Sequence, residues 1–120
     1  MESKQNETEL ARRKLAGLSG SARRLLDYVA LLEGDARYAV LRHMARASEE
    51  DMVIDLRETV DAGVIAVLEG EREKYGFTDE AAHQIVMEEI GEARLPKLRK
   101  KANAARRRVL GERLIADDTP

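Results

Sequence analysis

Seven cations fall between Lys97 and Arg108 with no acid among them: Lys97, Arg99, Lys100, Lys101, Arg106, Arg107 and Arg108. Side chains of this kind at this density hold phosphates. Each cation seated on a nucleic-acid phosphate displaces condensed counterions, so affinity falls with salt. Arginine also forks two hydrogen bonds onto one phosphate. Asn103 is the only amide in the stretch, whereas base reading needs polar side chains on a helix seated in a groove. The chemistry expected here is contact with the backbone of DNA or RNA, without strong sequence preference. Arg12, Arg13, Lys14, Arg23 and Arg24 extend the same surface in this reading.

A helix must present these groups. In "LPKLRKKANAARRRVLGERL" (95–114), Leu95, Leu98, Ala102, Ala105 and Val109 repeat with heptad spacing, and the cations occupy the rest of the circumference. A seam of two positions in seven is what one neighbouring helix needs. The two alanines allow close approach but bury little area. The segment is therefore expected to dock by a thin edge.

A rival use of the cations lies in the same chain. Residues 1–47 hold nine basic and six acidic side chains, residues 48–92 three and fourteen, and residues 93–120 nine and three. The net charge of −2 hides basic ends around an acidic middle. Such asymmetry points to a charged partner. It equally allows the basic helix to pair with the acidic middle, within one chain or between copies, or to dock on an acidic protein surface. Individual exposed pairs of that kind contribute only about 0–1 kcal/mol.

Other constellations carry less chemistry. "EAAH", Glu80 to His83, has the Glu-x-x-His spacing of ferritin-like bundles, but it occurs once and Glu80 also suits a helix start. His43 has no Ser or acid beside it that forms a triad. Ser19, Ser21 and Ser48 read as turn and cap residues. Tyr28, Tyr38, Tyr75 and Phe77 lie in apolar registers or a turn and read as packing groups rather than base-stacking ones. There is no phosphate loop, no zinc pattern and no cysteine, so disulfide and thiol chemistry are excluded. No catalytic residue, metal ligand, cofactor or small-molecule substrate is expected, and the chain reads as non-enzymatic.

The elements that position these residues are helices. A chain of 120 residues, 43% hydrophobic and 3% aromatic, reads as one domain with an aliphatic core. Helices are expected at about 7–18; at 22–33 after a Ser21 cap; at 36–47 after an Asp35 cap; at 49–74 after Ser48; and from about 79 after a Thr78 cap. In the second, Leu25, Leu26, Val29 and Leu32 form one face. Along the fourth, Val53, Leu56, Val60, Gly63 and Val67 follow a 3–4–3–4 rhythm. Pro96 is expected to kink the last helix or to start a sixth. Residues 1–6 and 115–120 read as polar tails. No alternating strand pattern or hairpin signal is visible. The expected fold is all-α, with five or six amphipathic helices in a bundle or intertwined oligomer and no β-sheet.

One stretch carries a family likeness. "GDARYAVLRHMARASEED" (34–51) resembles the opening helices of winged-helix regulators, in which an Asp-x-x-Arg helix start precedes a run of Leu and Ile. That resemblance covers eighteen residues and implies a helix-turn-helix transcriptional regulator. Downstream, neither a compact recognition helix nor a β-wing is visible in the sequence. The leading expectation is thus a homo-oligomeric, phosphate-binding helical protein, such as a packaging, coat or chromatin-like subunit. It is placed in the cytoplasm or a nucleoprotein assembly, with no secretion signal and no bilayer-length apolar run. The second is a protein-protein adaptor, and the third the helix-turn-helix regulator.

Overall fold

The computed structural model describes residues 2–68, 70 and 73–117. Among them the order is α1 (Glu2–Ala16), α2 (Gly20–Leu31), β1 (Ala36–Arg37), α3 (Tyr38–Ala45), α4 (Glu49–Asp61), β2 (Ile65–Val67), β3 (Lys74–Phe77) and α5 (Glu80–Asp117). No helix is long and apolar enough to cross a membrane among the described residues.

The fold is built around α2. Its apolar residues recur at three and four positions, and Leu25, Leu26, Val29 and Leu32 are all buried, as the spacing requires. Around them close Val40, Leu41 and Met44 of α3, Met52 and Leu56 of α4, and Ala82, Val86 and Ile90 of α5. The start of α2 lacks an acid in its own first turn, and α4 supplies the missing charge. Glu58 accepts from the Ser19 backbone N–H at 2.6 Å and from its hydroxyl at 2.9 Å, and the Ser21 hydroxyl donates to Asp55 at 2.9 Å. Negative groups there complement the positive end of the helix dipole and its free N–H groups. The cap itself is Ser19, whose oxygen accepts from Ala22 N, so the helix starts before the expected Ser21.

The expected long helix over 49–74 does not form. It stops at Asp61, because Gly63 takes a left-handed φ of 76°. Gly63 N–H then bonds Val60 O at 2.9 Å, and Val64 N–H bonds Thr59 O at 3.2 Å. That pair of bonds is the glycine stop that satisfies a helix's last carbonyls. The 3–4 rhythm across residues 53–67 is therefore accidental. Met52, Leu56 and Thr59 face the core, while Val53 and Ile54 are exposed.

Beyond the stop the chain forms a hairpin, which overturns the expectation of no β-sheet. β3 is the central strand of a three-stranded antiparallel sheet in the order β1-β3-β2. Ile65 pairs with Phe77, Val67 with Tyr75, and Ala36 also with Tyr75. The strands run two, three and four residues. Such lengths are too short to establish an alternation, and aliphatic Ile65–Val67 merges with the preceding helical pattern.

Smaller departures share this local origin. α1 begins at Glu2 and α5 runs to Asp117, so the polar ends expected as tails are helical where described, and 118–120 lie outside the described residues. Arg37, not Asp35, precedes α3. Asp79, not Thr78, caps α5 through the N–H groups of Ala81 and Ala82. Thr78 instead donates to Gly63 O at 2.9 Å, pinning the end of the hairpin to the end of α4.

Gly63→Ala separates the two readings of this region. In a helix interior alanine would stabilise by up to ~1 kcal/mol. At a left-handed stop it costs about 1–2 kcal/mol, with no clash to add, since a Cβ would meet only Lys14 Nζ at 3.8 Å. Urea unfolding is expected to show the loss.

Candidate nucleic-acid interface

The basic segment is the second arm of α5. The helix breaks at Gly91, whose φ of 70° and ψ of 168° only glycine adopts readily. It resumes at once, so residues 80–90 form a proximal arm and 92–117 a distal one. Pro96 stands one turn into the distal arm, where a missing N–H removes at most one early bond. The kink expected at Pro96 is thus at Gly91, five residues earlier in the chain.

An ionic network spans the break. Asp27, with a side chain 8% exposed, accepts from Arg23 at 2.8 Å and lies 3.2 Å from Arg94. Arg23 also pairs with Glu89. Glu89 belongs to the proximal arm and Arg94 to the distal arm, so α2 grips both. Burial works against the charge of Arg23, but hydrogen bonds and attraction from Glu89 and Asp27 outweigh it and raise its pKa above the usual guanidinium value.

From there the distal arm lies along the body by the expected seam. Ala102 and Ala105 are buried, while Leu95, Leu98 and Val109 are half-buried against the core. Lys101 stands 5.0 Å over the Tyr28 ring and 3.4 Å from its hydroxyl. Near the far end, Arg106 meets Asp35 at 3.7 Å. Asp35 also holds Arg37 of β1 at 2.9 Å and Lys74 of β3 at 3.9 Å.

The seven predicted cations therefore divide. Lys101 and Arg106 are turned to the body, and Arg108 is exposed but engaged with another group. Lys97, Arg99, Lys100 and Arg107 are exposed and have no ion-pair or hydrogen-bond partner among the described residues. On the helical wheel Lys100 and Arg107 stand opposite the alanine seam, with Lys97 and Arg99 to either side. The acidic middle does not neutralise these four within the described chain. Its Glu89 pairs with Arg23, and its Asp79 with Lys14 at 3.7 Å, both from the N-terminal part. Of the residues expected to extend the surface, Arg12, Arg13 and Arg24 are exposed, while Lys14 and Arg23 are committed to these pairs.

Other features lie elsewhere. His83 stacks on Phe77 with centroids 4.8 Å apart and sits 3.9 Å from Glu33 and Glu80. No group of three or more metal-ligating side chains that could hold an ion occurs among the described residues. Sequence reasoning missed Asp27, Arg94 and the group Arg42, His43 and Arg46 on the rim of α3. The signal for that group was two arginines four apart in a helix with no acid between them. No protein-family model, curated protein or solved structure matches the chain.

Removing the clamp tests what aims the distal arm. Asp27→Ala leaves Arg94 without its partner and is expected to cost about 1–3 kcal/mol. Hydrogen exchange should accelerate over 92–109 more than over α2. Equal acceleration in both would show that the network serves the core and not the arm.

Proposed function

We propose that this chain is a non-catalytic nucleic-acid-binding module whose distal arm lies along the phosphate backbone. The observation that carries this reading is the exposure of Lys97, Arg99, Lys100 and Arg107 on a helix whose other edge packs on the body, with no carboxylate of the described chain spent on them. A polyanion supplies what the protein leaves open. The thin alanine seam keeps the arm close to the body and leaves most of its circumference to a ligand. Asn103 is the only amide on the exposed side, and the cations beside it serve phosphate and sugar contact in this reading.

A specific observation also favours a helix-turn-helix reading. The order α2-β1-α3-α4-β2-β3, with the hairpin closing a three-stranded sheet, is the order of winged-helix regulators, an argument by analogy of fold alone. In that reading α4 would enter the major groove. Its first turn carries Glu49, Glu50 and Asp51, which repel phosphates, and Arg57 is its only exposed cation. The charge thus favours α5 over α4 as the contact surface.

Fluorescence anisotropy with a mixed-sequence duplex decides between them. With four or five phosphates neutralised, the slope of log affinity against log salt should be about −3.6 to −4.5. Lys100→Glu with Arg107→Glu is expected to weaken binding at least about tenfold and to flatten that slope by about 2. Arg57→Ala should leave binding unchanged. If instead Arg57→Ala abolishes discrimination between duplexes, α4 is the reading helix. Failure to bind DNA or RNA even at low salt removes both readings and leaves an acidic protein surface as the arm's partner.

A further inference from the structure

A cleft opens between α3 and the far end of the distal arm, roughly 540 Å³ in volume, with Tyr38, Arg42, His43, Arg46 and Ala47 on one side and Val109 on the other. Its volume falls within the range of small-molecule sites. Among the described residues, no carboxylate lines it. Arg42, His43 and Arg46 have no acidic partner among the described residues, whereas Arg23, Arg37, Arg94 and Arg106 each have one. The Arg42 Nε–H donates to Ala47 O at 3.3 Å, which fixes the guanidinium and leaves its two terminal nitrogens for a ligand.

Two further observations point the same way. Arg46 ends α3 in the left-handed region, at φ 51° and ψ 40°, a position that glycine or asparagine fills at lower cost. Backbone strain of this kind recurs at ligand sites. In addition, the hydroxyl of Tyr38, a residue of the cleft lining, is buried without a hydrogen-bond partner. Buried polar groups left unpaired call for an explanation.

We infer that this cleft binds a small organic anion, a phosphate or carboxylate carried on a flat apolar body. Arg42 and Arg46 fork onto the anionic group. The body lies between the Tyr38 ring, Ala47 and Val109. Because the two sides belong to α3 and to the distal arm, an occupied cleft fastens the arm's far end to the body. A nucleic-acid phosphate carries the same anionic chemistry, so the test must tell a free ligand from the polymer.

Phenyl phosphate is the probe, followed through the amide resonances of Ala47 and Val109 and the Arg side-chain signals of isotope-labelled full-length protein. Saturable shifts at all of these sites are expected at millimolar concentrations, with inorganic phosphate binding more weakly. Arg46→Gly relieves the left-handed residue, so it is expected to hold or raise Tm while weakening phenyl phosphate at least about tenfold. Arg42→Gln should weaken it similarly and guards against any effect of the glycine. The Lys100→Glu, Arg107→Glu protein should bind the probe as the parent does, which keeps this site separate from the duplex-binding reading. Absence of shifts, unchanged affinity in both arginine variants, or inorganic phosphate binding as tightly as phenyl phosphate would overturn the inference. So would loss of the probe in the Lys100, Arg107 variant together with identical shifts from a duplex, since the cleft would then belong to the polymer surface.

Discussion

One buried carboxylate decides where the basic helix goes. Asp27 faces Arg23 on its own helix and Arg94 across the break at Gly91, while Arg23 reaches back to Glu89 on the other side. A glycine in that conformation permits a change of direction but does not choose one. The choice comes from the two arginines and two acids that straddle it. With that angle set, the seam of Leu98, Ala102 and Ala105 meets the body and the opposite face turns to solvent. The arm's own apolar seam is thin, since two of its five residues are alanines that bury little area.

The separation of charge has its origin in the same arrangement. Carboxylates of the acidic middle are consumed by the N-terminal part: Glu58 and Asp55 at the start of α2, Asp79 by Lys14, Glu89 by Arg23. Glu49, Glu50 and Asp51 at the start of α4 complement that helix's dipole and stay exposed. The four outward cations of the distal arm are not drawn into this pairing. The protein therefore presents an acidic α4 and a basic distal arm of α5, although its net charge is only −2.

Much of this was legible in the sequence where the signal was long and of one period. The face of α2, the Ser48 cap and the five-residue seam of the distal arm were all readable, the two faces because their repeats span two or more helical turns. The sheet was not legible, because β2 and β3 offer three and four residues each and Val67 continued a helical rhythm by coincidence. Gly63 fell within that rhythm, and its left-handed stop depends on φ, which composition does not reveal. The Gly91 break was hidden because Pro96 sufficed to explain a bend nearby. As for the site, its cations could be read directly. That Lys101 and Arg106 are not among the unpaired ones is set by Tyr28 and Asp35, contacts made across more than seventy residues of chain.

Asp35 gives the hairpin a mechanical connection. It holds Arg37 of the edge strand, Lys74 of the central strand and Arg106 of the distal arm at once. Three separate elements thus share one anchor with a single negative charge, and none can shift alone without redistributing that charge among the other two. A load applied along β3 therefore has a route to the distal arm through one carboxylate, beside the route through the hydrophobic core.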